Sequence, residues 1–245
     1  MKRRASAIVA LAVGLSAMGT LVPPLAHAQA PSPAGETHSV PFGGTQFVLY
    51  APPGHCLLDG RHAADERFAA LFFRPRAGKN NTYLGAFLDC KELVSLRSNR
   101  PAFGLSFGYY LAVTAGANTP VTQRRDQYLA SLCQRFRAHH GSLDLTRADA
   151  ARHEIETQMQ ALPVGPPRFG QVVAQDGNGC YQIVLHKRDV LGLQHREVSL
   201  TVVTLARDRP VIYTRTVPYL NAASVVDILG KSVPRELAAF LSANP

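Results

Sequence analysis

Apolar and polar positions repeat with two different periods along this chain of 245 residues. In the C-terminal half the period is two. Between residues 168 and 217 the runs RFGQVVAQ, CYQIVLHKR, REVSLTVVTLA and PVIYTRTV are rich in β-branched and aromatic residues. Turn residues separate them, at Asp176-Gly177-Asn178-Gly179 and at Asp208-Arg209-Pro210, which predicts four consecutive antiparallel strands. In the middle of the chain the period is helical. Val121, Arg125, Tyr128, Leu129, Leu132, Cys133 and Phe136 recur at three and four, which predicts a helix over 120–140 with Leu129, Leu132 and Phe136 in the core. Thr119 is placed to cap it, Pro120 suits the first helical position, and Gly141 closes it. A second, more polar helix is predicted over 146–162. A third is predicted over 222–243, carrying Val225, Val226, Leu229, Val233, Leu237, Phe240 and Leu241. Gly230 and Pro234 are expected to kink that segment or split it in two.

The N-terminal half alternates short elements. TQFVLY is strand-like and stops at Pro52-Pro53-Gly54. CLLD suggests a second short strand. Residues 62–73 predict a helix with Phe68, Leu71 and Phe72 on one stripe. After the turn GKNN come the apolar strand TYLGAFLDC and the short helix KELVSLRS, stopped by Asn99 and Pro101. A long strand is expected over 103–116, where Gly104 and Gly108 suggest bulges or a close approach. No internal repeat is present. Strands clustered beside helices predict an α+β fold, a mostly antiparallel sheet packed by helices.

The chain opens with MKRR, an apolar run over residues 5–22, and then PPLAHAQA with the small-x-small triplet Ala26-His27-Ala28. This is the pattern of a secretory signal peptide over residues 1–28, cut after Ala28, with Ala30 as the alternative site. No later run is apolar for about 18 residues, so no span of the membrane is expected after cleavage. Residues 29–39 are rich in Pro, Ser, Gly and Ala and are expected to be a disordered linker. Residues 40–245 then form a single domain, periplasmic or secreted. Cleavage leaves 23 basic residues against 17 acidic ones, a net charge of about +6.

An exported chain with four cysteines, Cys56, Cys90, Cys133 and Cys180, reads first as two disulfides. The pairing that closes the shorter loops is Cys56–Cys90 with Cys133–Cys180. Zinc is the rival reading, but zinc ligands come in pairs two to four residues apart, and these cysteines stand 34, 43 and 47 apart. Cys90 also carries a nucleophile reading, because DCKELV looks like a helix start and a helix N-terminus favours the thiolate. Asp89-Cys90 and the apolar Leu93-Val94 resemble the nucleophile segment of NlpC-type cell-wall cysteine peptidases. The Ser-Gly of that motif is Lys91-Glu92 here, and no strand with a following histidine base is in place.

Other chemistry is sparse. Arg152-His153-Glu154 begins like a zincin helix, but Thr157 stands where the second histidine belongs. GLSFG matches the bare nucleophile-elbow pattern at Ser106 but sits inside a strand-like run rather than at a strand-to-helix turn. His186 with Asp144 or Asp176 would complete a triad only on paper. No phosphate loop, cofactor motif or metal-ligand spacing is present, so catalytic, cofactor and metal residues are all expected to be absent. Arg124, Arg125, Arg135 and Arg137 form a loose basic cluster on the central helix, a docking patch for anionic envelope material or simply a solvated face. Nucleic acid does not suit the compartment.

The N-terminal apolar strand, the following Pro-x-Gly-x-Cys over residues 52–56, and the closing TLARDRPVIYTRTVPY before a C-terminal helix resemble uncharacterised exported bacterial proteins of PsbP-like αβα-sandwich architecture. The resemblance covers about the first and last fifty mature residues. It implies the fold and an envelope address and no catalytic residue. Two functions follow as expectations. One is a non-catalytic accessory or binding protein of the envelope with an unidentified partner or anionic ligand. The alternative is a secreted hydrolase using Ser106 or Cys90, which requires a histidine within hydrogen-bond reach of one of them, in a cleft.

Overall fold

The computed structural model describes residues 35–100, 106–114, 119–144, 147–165, 170–190 and 193–245. The expected signal peptide, most of the linker and Gly104 lie outside them. Two strands, β1 (Glu36–Phe42) and β2 (Thr45–Ala51), pair as a separate hairpin. Its turn is Gly43-Gly44, with φ of 56° and 74°, the left-handed values that a two-residue hairpin turn needs. β1 therefore takes in residues 36–39, which the sequence pattern placed in the linker. What overrides the local composition is pairing with β2 along seven positions.

There follow β3 (His55–Leu57), α1 (Ala63–Phe68), a π-helical turn (Ala69–Phe73) and α2 (Arg74–Ala77). The extra residue in the π turn rotates the predicted apolar stripe. Phe73 becomes fully buried, and Leu71, expected inside, is 82% exposed. Next are β4 (Asn81–Asp89), α3 (Cys90–Arg97), β5 (Phe107–Val113), α4 (Arg125–His140) and α5 (Ala148–Ala161). α4 starts five residues later than the Thr119-Pro120 signal predicts. Val121 instead donates its backbone N–H to Asp208 O (2.8 Å), so the segment before the helix docks on a turn of the sheet. Leu129 and Cys133 are fully buried, while Leu132 and Phe136 flank the contact and are half-buried.

β6 (Val172–Gln175), β7 (Cys180–Val190), β8 (Leu193–Ala206) and β9 (Arg209–Pro218) are consecutive and antiparallel, as the period-two pattern predicts. The last hairpin turns at Arg207-Asp208, one residue earlier than its sequence punctuation, with both φ values positive (50° and 58°). The C-terminal segment is not split in two but runs on with helical backbone through α6 (Ala222–Asp227), a π turn (Ile228–Ser232) that contains Gly230, and α7 (Val233–Ala243) with Pro234 in its first turn.

β3 to β9 form a seven-stranded sheet in the order β3-β4-β5-β9-β8-β7-β6, antiparallel at each pairing. The fold is α+β. One sheet face packs its main core, including Phe87, Tyr110, Tyr213, Leu200 and Ile183, against the β1–β2 hairpin and α5 to α7. The other face is covered at one end by Phe73 and Leu93 of the α1–α3 region and at the other by Cys133 of α4. Both expected disulfides are present: Cys56–Cys90 with Cα atoms 4.9 Å apart and Cys133–Cys180 at 5.6 Å. The buried Asp65 receives two bonds from Arg97 (3.0 and 2.7 Å) and ties α1 to α3. At the C-terminus the fully buried Asn244 amide accepts from Val48 N–H and donates to Val48 O, both at 2.8 Å, like one residue of an added strand.

Candidate functional site

Cross-strand register builds the site. Leu57, Phe87, Gly108, Arg215, Leu200 and Ile183 form one row across six strands on the main-core face. Five of them are apolar or glycine, and one is an arginine. Two positions along, the next pair on the same face places His55 opposite Asp89, and Asp89 N–H donates to Ser106 O (3.2 Å). His55 and Ser106 are thereby brought to Arg215, at the end of the sheet where α6 and α7 leave a gap. The result is a cleft of about 680 Å³, lined by these three residues with Tyr50, Pro52, Pro53, Val217, Pro218 and the α6–α7 segment.

Phe87 is the floor. The His55 ring meets it edge-on at 5.5 Å, and the Arg215 guanidinium carbon stands 5.4 Å from its centroid. Gly108 makes this possible, since a Cβ there would fall 2.2 Å from the Phe87 ring. This is the close approach that the glycine suggests in the sequence.

Arg215 is 7% exposed. Its Nη2 donates to His55 Nε2 (2.8 Å) and to Ser106 Oγ (3.1 Å), and its Nε lies 3.8 Å from Glu236. Glu236 also accepts from the Tyr213 hydroxyl. Nη1 of Arg215 is buried and has no hydrogen-bond partner among the described residues. His55 Nε2 is also 3.2 Å from Ser106 Oγ, while Nδ1 faces the Pro53 carbonyl at 3.4 Å. The partners define the tautomer: Nδ1 carries the proton and Nε2 accepts. Burial and then the charge of Arg215 push the His55 pKa down to about 4. The imidazole is neutral at pH 7 and a weak base.

The structure thus does bring a histidine to Ser106 in a cleft, as the hydrolase alternative requires. The chemistry of a nucleophilic pair is opposed all the same. A catalytic imidazole must gain charge when it takes the serine proton, and a carboxylate usually stabilises that charge. Here the nitrogen nearest Ser106 faces a guanidinium. Cys90 is in a disulfide and is not a nucleophile. No hydrogen bond described for His186 runs to Asp144 or Asp176. His186 reaches Ser199 Oγ (3.2 Å), which is 2.7 Å from Thr216 Oγ1, on the opposite sheet face. Asp176 is occupied by its own turn and by the Tyr181 hydroxyl. Arg124, Arg125, Arg135 and Arg137 lie along α4, away from the cleft, with Arg124 paired to Asp126. Among the described residues no group of three His, Cys, Asp or Glu side chains is placed to hold a metal. No described helix is long and apolar enough to cross a membrane.

His55, Arg215 and Glu236 are absent from the residues that sequence motifs single out. One signal for Arg215 is in the sequence: along PVIYTRTV it occupies the same strand phase as Val211, Tyr213 and Val217, a charge on the buried side.

No protein-family model matches the chain, and no curated protein matches it. Among solved structures it is similar to the Ran-binding protein Mog1p of Saccharomyces cerevisiae, at 12% identity over 85% of this chain and 90% of that one, with a TM-score of 0.30. A point mutant of Mog1 is similar at 12% identity over 85% and 88%, also at 0.30. Likenesses at that TM-score carry no argument about fold or partner.

Proposed function

We propose that this chain is an exported, non-catalytic accessory or binding protein of the bacterial envelope, of PsbP-like αβα architecture, which holds a small ligand in the cleft beside Arg215. The observation that carries the reading is the 2.8 Å contact between Arg215 Nη2 and His55 Nε2. It commits the imidazole lone pair to a cation and leaves a polar-ended, apolar-walled cavity, the form that small-molecule sites take. Two disulfides support an oxidising compartment. The loosely clustered arginines of α4 supply the docking surface for anionic envelope material. If it does so, Arg135→Glu with Arg137→Glu abolishes sedimentation with anionic vesicles, and unchanged sedimentation removes that surface from the reading.

A second reading has one observation in its favour, the 3.2 Å approach of His55 to Ser106. A fluorophosphonate probe separates the two. The binding reading expects no labelling of Ser106 above that of His55→Ala. Labelling that His55→Ala abolishes, with turnover of a p-nitrophenyl ester, would establish a hydrolase.

A further inference from the structure

The cleft has a charged end and an apolar body. The charged end is Arg215, Ser106 and His55, with Glu236 behind Arg215 and the exposed Arg235 beside it. Two arginines against one carboxylate leave a surplus of one positive charge. The body is Pro52, Val217, Pro218, Leu220 and Ile228, of which Leu220 is a large apolar side chain left 77% exposed. A buried guanidinium N–H without an acceptor carries a cost that native proteins rarely leave uncompensated. Nη1 of Arg215 is such a group, on a side chain that is 7% exposed and lines the cleft. The protein neighbours of this guanidinium are already in place: His55 and Ser106 on Nη2, Glu236 near Nε. Arg215 lines the cleft, so the cleft is the side from which a ligand reaches this guanidinium.

We infer that the cleft binds an apolar monocarboxylic acid, its carboxylate accepting from Arg215 and Ser106 and its hydrocarbon part lying along Val217, Pro218, Leu220 and Ile228. This rests on the ligand-binding reading of the cleft and narrows it. A carboxylate matches the planar fork of a guanidinium and the single surplus charge. A phosphate monoester brings up to two negative charges to a site that already holds Glu236, and like charges in a buried setting repel. An uncharged alcohol leaves the guanidinium without a charged acceptor.

The test is calorimetric titration of the full chain, disulfides intact, at pH 7 with three probes of one length: octanoate, octanol and octyl phosphate. Octanoate is expected to bind at least tenfold tighter than octanol and no weaker than octyl phosphate. Arg215→Gln should bring octanoate down to the affinity of octanol, with Arg235→Gln costing only a few-fold. Should Arg215→Gln fail to fold, the wild-type comparison decides alone. Octanol binding as tightly as octanoate overturns the carboxylate assignment and leaves the cleft a binding site. Octyl phosphate binding tenfold tighter than octanoate overturns it in favour of a phosphate ligand. Octanoate affinity unchanged in folded Arg215→Gln overturns it by placing the carboxylate elsewhere. Failure of all three probes to bind overturns it together with the ligand-binding reading of this cleft.

Discussion

Arg215 donates from Nη2 to Nε2 of His55 across 2.8 Å, a cation giving a hydrogen bond to an imidazole that must stay neutral to receive it. The two residues are 160 positions apart in the chain and meet only because β3 and β9 flank β4 and β5 in the same sheet.

Stability should therefore fall in mild acid. The folded His55 pKa is about 4 against an ordinary value of 6.5. Between those values the unfolded chain binds a proton that the folded chain refuses, so stability declines as pH drops from 6.5 to about 4 and is unaffected above. At about 1.4 kcal/mol per pH unit the loss is on the order of 2–3 kcal/mol. Urea melts at pH 7 and pH 4.5, for wild type and His55→Gln, isolate it. The variant should lose about 2 kcal/mol less than wild type over that interval. Equal losses would mean that His55 titrates normally.

Gly108→Ala should destabilise the fold by about 1–3 kcal/mol, because the new methyl overlaps the Phe87 ring. Phe87 also supports His55 and Arg215, so the same variant should weaken octanoate binding in whatever fraction remains folded. A wild-type melt would show that the ring has room to move.

Asn244→Ala should cost about 2–4 kcal/mol, since it removes the bonds to Val48 N–H, Val48 O and Phe240 O at a fully buried position. Hydrogen exchange gives the sharper readout: the Val48 amide should lose its protection while amides in β7 and β8 keep theirs. Continued protection of Val48 would show that another acceptor replaces Asn244.

Titration of the unfolded, unreduced protein with a thiol reagent should find no free thiol. Replacing Cys133 and Cys180 together by Ala should lower stability by about 3–4 kcal/mol, the chain-entropy value for a loop of 47 residues. Stability equal to that of the intact protein would mean that the loop is already restrained without the bond.

The meander was legible because its signals are local. Alternation along β7 to β9 and the turn residues between them name strands without knowledge of the rest. The disulfide pairing was legible from loop lengths and from the placement of Cys133 on a helical stripe. Leu71 was misplaced because a π turn is not encoded by any residue type in AALFF, and one inserted position swings the stripe to Phe73. The start of α4 was misplaced because the Val121–Asp208 bond spans 87 residues and outweighs a local capping signal. The site was illegible for the same reason. Ser106 was singled out by a pattern, but its neighbour His55 is 51 residues away, and only sheet register puts them in one place. Arg215 left a trace, as a charge in the buried phase of β9.

The two rims of the large sheet are its shortest strands, three residues in β3 and four in β6. A rim is where a sheet can recruit a strand from another molecule, and brevity is one way of refusing. Cys56 holds β3 to the first turn of α3, and Cys180 holds the end of β7 under α4, next to β6. Each disulfide therefore guards a boundary as well as adding stability. Once Cys133–Cys180 is reduced, fraying of β6 uncovers the Cys180–Gln182 end of β7 with which it pairs. Oxidation should then govern colloidal behaviour before it governs folding: light scattering of the reduced protein is expected to rise at temperatures where its circular dichroism is unchanged.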